Sequence, residues 1–312
     1  LYYPILSIVK EAVGAMQKLP SVRQLQYFVT LDELGHFGRA AEACFVSQSA
    51  FSTAIQELET TLGAQLVDRT NRRVTINSVG REVAVQARIC LQEIQDIARL
   101  AREREGPLSG KLVLGVIPTI GPFLLPLLLK KLRRSFPKLQ LYLREQRSDE
   151  LYAGLQEGNI DLLLMALPFP MKNVETEVLF RDGFLLACRN DTDLVDPTKF
   201  SVDQLNPESV LLLEDGHCLR EHAVSACHIS ELDKVNRFAA SSLHTLLEMV
   251  ESDLGVTFIP EMAKGSALLR GTRIATYPVE SAGHRDIALV WRKGSNHGDD
   301  FRVLGDFIRE NR

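Results

Sequence analysis

The 312-residue chain lacks the membrane span's signature: no stretch reaches the about 18 to 20 uninterrupted apolar residues that a spanning helix needs. Its most apolar run, Ile117 to Leu129, is interrupted by Pro118, Gly121, Pro122 and Pro126. A soluble protein with no membrane partner is the expectation. Cysteine is scarce and scattered, with five residues at 44, 90, 188, 218 and 227 and no C-x-x-C pair. That excludes the dense disulfide framework of a small secreted domain and fits a reducing cytoplasm. No cofactor or metal motif stands out. An excess of positive charge is also missing, since 36 Lys and Arg face 40 Asp and Glu for a net of -4. Bulk charge therefore gives no hint of nucleic-acid binding, and any such reading must rest on local residues. The apolar first block lacks a basic start and is broken by Lys10 and Glu11, so it does not read as a targeting signal. The chain begins with Leu, a Met stands at 16, and residues 1–20 are read as an N-terminal extension outside the fold.

What is present from Ser21 onward is a series of short helical patterns alternating with Gly- or Ser-bearing turns. Ser47 stands at an N-cap position, and Phe51, Ile55, Leu58 and Leu62 follow at spacings of four, three and four, which predicts one buried helix face. The opposite face offers Gln48, Ser49, Ser52, Thr53 and Gln56, uncharged polar side chains suited to base edges in a major groove. Gly63 ends the helix. Beyond it, residues 67–75 make two extended pieces around a polar turn, with Arg69, Arg72 and Arg73 available for phosphates. A polar helix face alone would also suit an amphipathic hairpin with no DNA role. In order, spacing and residue type, however, residues 37–80 resemble the winged helix-turn-helix of LysR-type regulators. Two positions depart from that pattern: Ser49 where Pro is frequent, and Gln56 where Lys or Arg is common. The resemblance implies that residues 21–80 form a DNA-binding domain, with Ser47, Gln48, Ser49, Ser52, Thr53, Gln56 and the three arginines at double-stranded operator DNA.

From Val83 the residues Val83, Ala87, Cys90, Ile94, Ile97 and Ala101 recur with heptad spacing, the pattern of a helix that pairs with another. The resemblance implies a linker helix over 81–106 that joins two chains, with Ala87, Cys90, Ile94 and Ile97 at the seam. It favours a homo-oligomer built as a dimer of dimers. Gly106, Pro107 and Gly110 mark a hinge at 107–111. The remaining residues alternate apolar strands with helical stretches: 111–117 is a strand, 139–145 another, and VETEVLF and FLLAC are read as separate strands. Parallel α/β layers are the natural reading. By the same resemblance, residues 112–312 form a two-lobed α/β effector domain similar to periplasmic binding proteins. One lobe takes about 112–182 and 287–312, the other about 183–286.

The segment Leu211 to His228 passes from a strand through Asp215-Gly216 into a helical pattern that leaves Cys218 at the first turn. Helix N-terminal amides stabilise negative charge, and His217 and Arg220 stand beside the thiol, so a depressed pKa and thiolate reactivity are expected. Cys227 shares a face with Leu219 and Ala223 and reads as a buried thiol. In a continuous helix, nine residues separate the two sulfur positions by about 13 Å. A disulfide needs Cα atoms about 4.4 to 6.8 Å apart, so joining them requires the helix to unwind. Two cysteines in one amphipathic helix are ordinarily core residues, and His217, Cys218, His222, Cys227 and His228 also suggest a transition-metal site.

LLLEDGHCLR with a second cysteine nine residues on, together with IPTIGPFLLP, resembles the peroxide-sensing OxyR branch of the LysR regulators. That resemblance implies a peroxidatic Cys218 and a resolving Cys227. It further implies a peroxide pocket with Thr119, His217, Ser148 and Arg285, of which Ser148 stands where a Thr hydroxyl is expected. The implied partners are hydrogen peroxide as signal, cellular thiol reductants, and RNA polymerase when activating. The competing expectations are a regulator answering a small carboxylate or a transition metal, and a stand-alone thiol peroxidase.

Overall fold

A computed structural model describes residues 19–70, 73–101, 107–197, 205–227, 229, 234–279 and 283–312. By contact density the chain divides into two compact units, residues 1–103 and 104–312.

The first unit is helical with a two-stranded wing. Helix α1 (Val22–Leu34) begins with a capping box between Ser21 and Gln24 and ends at Gly35. Helix α2 (Phe37–Ala43) is capped by His36, whose Nδ1 accepts from the amides of Gly38 and Arg39. Helix α3 (Gln48–Leu62) starts where the Ser47 hydroxyl accepts from the Ala50 amide, and Gly63 closes it at φ 66°, a conformation that favours glycine. Phe51, Ile55 and Leu58 are fully buried as the spacing predicts. Leu62, expected on that face, is 38% exposed because the last turn runs past the edge of the small core. Strands β1 (Val67–Thr70) and β2 (Arg73–Ile76) pair antiparallel. One Glu59 carboxylate oxygen accepts both the Leu66 and Val67 amides, tying the wing to α3.

Helix α4 (Ser78–Ala101) corrects part of the seam expectation. Ala87 does not face outward: with Ala84 it is buried in the core of its own unit, where Phe28, Phe51 and Ile55 also lie. Arg88 pairs with Asp32 of α1 and fixes the same half of the helix. Cys90 is exposed, Ile94 half-buried and Ile97 65% exposed.

The second unit opens with β3 (Gly110–Val116), α5 (Gly121–Ser135), β4 (Leu139–Glu145), α6 (Ser148–Gln156) and β5 (Leu162–Leu167). Strand β3 is parallel to both β4 and β5. The layer is mixed, however, because β11 (His284–Arg292) runs antiparallel to β5 and to β6. Strand β6 spans Val174–Arg189 without a break, where two separate strands were expected. Its first part, to Gly183, pairs with β11; its second part, from Phe184, pairs with β9 (Thr257–Pro260) and β10 (Ile274–Pro278). One strand thus serves two lobes, and the charged pair Arg181-Asp182 at the changeover is what makes the apolar pattern look interrupted.

Between these partners lie β7 (Val210–Leu213), α7 (Cys218–Ala226), β8 (Val235–Ala240) and α8 (Leu243–Glu251); α9 (Gly298–Asn311) closes the chain. Two apolar cores result. The first gathers Leu114, Leu163, Met165, Leu289 and Trp291, and the second gathers Leu186, Leu211, Leu246, Val256 and Phe258.

Candidate functional site

At Gly216 the backbone takes φ 92° and turns the chain from β7 into α7, so Cys218 becomes the first residue of that helix. Cys227 is its C-cap. The helix therefore carries one thiol at each end, and it is continuous between them. Both sulfurs are buried, but in different places: Cys218 belongs to the first lobe's core and Cys227, with Leu219 and Ala223, to the second's.

Cys218 lines a pocket with Ile117, Pro118, Thr119, Arg147, Ser148, His217 and Leu219. The space between these residues is about 160 Å³, part of it open to solvent, and it is too narrow for a water molecule. Ser148 arrives as the first residue of α6 and Thr119 from the turn after β3. The structure thus brings Thr119, Ser148 and His217 to the cysteine. Arg285 joins from β11 without lining the pocket. Its Nη1 donates to Thr119 Oγ1 and its Nη2 to the Thr119 carbonyl, each at 2.9 Å, while its Nε donates to Asp182 Oδ2 at 3.0 Å.

The electrostatics correct the expectation of a depressed Cys218 pKa. Burial pushes the thiol up from its ordinary value, and that effect outweighs the pull of Ser148 and of the Arg285 charge. Ser148 Oγ is buried and completes no regular hydrogen bond, yet it lies close enough to the sulfur to favour the thiolate. The neighbours expected to help do not. Burial and the Arg147 charge lower the His217 pKa, which favours a neutral ring. Arg220 is turned away, donating to the Leu213 carbonyl and pairing with Asp215. Cys227, in wholly apolar surroundings, is pushed up to about 12.

One residue beside the site, Asp182, carries no signal in the sequence, and another, His222, reads there only as a metal-ligand candidate. Asp182 lies 103 positions from Arg285 and meets it only through the β6–β11 register. His222, one turn beyond Cys218, is buried with Nε2 2.8 Å from the Pro168 carbonyl. The Pro168 carbonyl engages only Nε2, the ring's Nδ1 has no hydrogen-bond partner, and His228, a member of the metal-site alternative, lies outside the described residues. Among the described residues no group of three or more His, Cys, Asp or Glu converges as a metal site.

In the first unit, Gln48, Ser49, Thr53 and Gln56 are exposed along one face of α3 and Ser52 is half-buried. Ser47 caps the helix as its position predicts, and its hydroxyl lies 3.1 Å from Ser49 Oγ. The expected phosphate contacts lie outside the described residues: Arg72 entirely, Arg69 and Arg73 in their side chains. Cys44 packs partly against the first unit's core and Cys188 is fully buried in β6.

Comparison with known proteins matches both units. Residues 22–81 fit the bacterial regulatory helix-turn-helix protein, lysR family, and residues 105–312 the LysR substrate binding domain. The chain is 42% identical over 295 residues to the HTH-type transcriptional regulator EstR of Acinetobacter baylyi, covering 94% of this chain and 98% of that one. It is 36% identical over 289 residues to the DNA-binding transcriptional dual regulator OxyR of Escherichia coli, covering 93% and 95%. Among solved structures, a full-length OxyR mutant of Pseudomonas aeruginosa superimposes with a TM-score of 0.79 at 34% identity, over 93% of this chain and 94% of that one. A hydrogen-peroxide-bound OxyR mutant of Corynebacterium glutamicum gives 0.63 at 30%, over 95% and 93%. With both units matched in order and relatives aligned over nearly their whole length, the chain belongs to the LysR family of DNA-binding transcriptional regulators.

Proposed function

We propose that this OxyR-like regulator senses hydrogen peroxide through Cys218 and is switched by a reversible Cys218–Cys227 disulfide, activating peroxide-defence genes in the cytoplasm. The observation that carries this reading is the placement of the two thiols. They stand at opposite ends of one helix, they lie in different cores, and only Cys218 reaches a pocket lined by hydroxyl and imidazole groups. The resting pocket is tight and its thiol is held towards the protonated form, so reaction starts when the pocket opens and the sulfur is hydrated.

The chemistry balances as follows. The Cys218 thiol loses its proton and its sulfur attacks one peroxide oxygen; the O–O bond breaks, S–OH forms, and the departing hydroxide takes the proton as water. The Cys227 sulfur then attacks the sulfenic sulfur, the S–S bond forms, and a second water leaves. Peroxide is reduced by two electrons drawn from the two thiols, and cellular thiol reductants return them. Closure requires α7 to unwind, which converts a local oxidation into a rearrangement where the two cores meet. Operator DNA at the α3 face, RNA polymerase, and a homo-oligomer built as a dimer of dimers are the partners of this reading.

The EstR relative, whose name carries no peroxide, keeps the small-carboxylate effector as the competing outcome. Brief peroxide exposure followed by thiol mapping separates them. The expected result is a 218–227 link in the wild type, trapped sulfenate in Cys227→Ser, and no response with intact DNA binding in Cys218→Ser. An oxidised protein without that link rejects the switch, and ligand-induced thermal stabilisation of Cys218→Ser by carboxylates would support the competitor.

A further inference from the structure

Asp182 stands at the changeover in β6, opposite Arg285 of β11 as its direct cross-strand partner. Both side chains are buried, and Arg285 is fully enclosed. Both oxygens of the carboxylate are engaged. Oδ2 receives Arg285 Nε at 3.0 Å and lies 2.9 Å from its Nη2, while Oδ1 receives the Met262 amide at 3.0 Å. Two further donors of Arg285 go to Thr119, a wall of the Cys218 pocket. A guanidinium so enclosed needs a counter-charge, because a buried ion left unpaired loses its hydration with nothing to replace it. An amide at position 182 would present an NH2 group either to Arg285 or to the Met262 N–H, and both are donors.

We infer that Asp182 is a positioning residue for the sensing thiol: through Arg285 it holds Thr119 and a positive charge at the Cys218 pocket, and through the Met262 amide it ties that pocket to the turn after β9. This rests on the reading of Cys218 as the reactive cysteine. Asp182 itself does not line the pocket, so its effect on the thiol runs through Arg285. Loss of Asp182 lets the guanidinium relax away from Thr119, and the thiol loses the cationic influence that offsets part of its burial.

The test is a double-mutant cycle on the full chain, reading Cys218 alkylation by iodoacetamide against pH with site-resolved mass spectrometry. Asp182→Asn is expected to slow alkylation at neutral pH about three- to tenfold and to move the profile to higher pH, a tenfold loss of thiolate corresponding to one pKa unit. Arg285→Met is expected to do the same. In the Arg285→Met background, Asp182→Asn should add nothing. Should Asp182→Asn prove too unstable, Asp182→Glu keeps the charge but is one methylene too long to serve both donors, and a smaller shift of the same sign is expected. An unmoved pH profile in both variants, or shifts that add in full on the Arg285→Met background, would overturn the inference. Alkylation needs no peroxide, so a missing 218–227 disulfide would defeat the proposed function while leaving this cycle readable.

Discussion

His222 shows how one buried side chain links this fold to pH. Its Nε2 donates to the Pro168 carbonyl, and its Nδ1 is buried without a partner. A proton added at Nδ1 would create a second buried N–H with nothing to receive it, so the ring is held neutral. Burial lowers its pKa first and the Arg285 charge adds to that, while the Pro168 carbonyl pulls the other way. Because the unfolded chain takes up a proton near pH 6.5 and the folded one resists it, the stabilisation is full above that pH and is lost as the pH falls below it. His217 shifts in the same direction and adds to the trend. The thermal midpoint should therefore decline from about pH 7.5 to 5.5. In His222→Gln, whose amide can keep the bond to Pro168, the decline should be shallower, and an unchanged slope would remove His222 from this account. At this scale the sequence was partly readable. Cys218 and His217 adjoin in the chain and could be named together, and Thr119 and Ser148 came through the family pattern. Asp182 and Arg285 could be matched only through strand register, which no local pattern states.

In the proposed switch, the element that separates the resting from the oxidised protein is α7. Its apolar face, Leu219, Ala223 and Cys227, was legible from four-residue spacing, and so was its start after Asp215-Gly216. Assignment of its two ends to different cores was not legible, since that depends on which strands β6 pairs with along its length. If unwinding precedes closure, the helix's own stability sets the closure rate. Ser225 is exposed on α7 and makes a clean lever. Ala favours helix over Ser by about 0.5 kcal/mol, and Gly disfavours it by a similar amount. Ser225→Gly should close the disulfide about twice as fast as the wild type and Ser225→Ala about half as fast. The initial oxidation of Cys218 should be the same in all three. Rapid-quench mass spectrometry resolves the two steps, and identical closure rates would show that the helix does not open on the way to the disulfide.

At the scale of the whole molecule the question is what the far end of α4 is for. The helix has 24 residues, about 36 Å at 1.5 Å per residue. Its first half is committed to its own unit by Ala84, Ala87 and the Arg88–Asp32 pair. Heptad spacing alone could not separate that half from the rest, because an alanine facing its own core and one facing a partner look alike in sequence. Further along, Ile94 is half-buried and Ile97 exposed, an apolar edge that continues past the core it grew from. A second copy of α4 is the natural cover, since it would also set two α3 faces at a two-fold DNA site. Ile97→Glu places a charge on that edge without touching the core of the first unit. The expected outcome is a smaller assembly in analytical ultracentrifugation, with heads that melt as before. Operator affinity should fall by about a hundredfold or more, because two linked heads gain that much over one. A variant that keeps its mass and its affinity would mean that the chains associate elsewhere, and that the exposed stretch of α4 serves some purpose other than pairing.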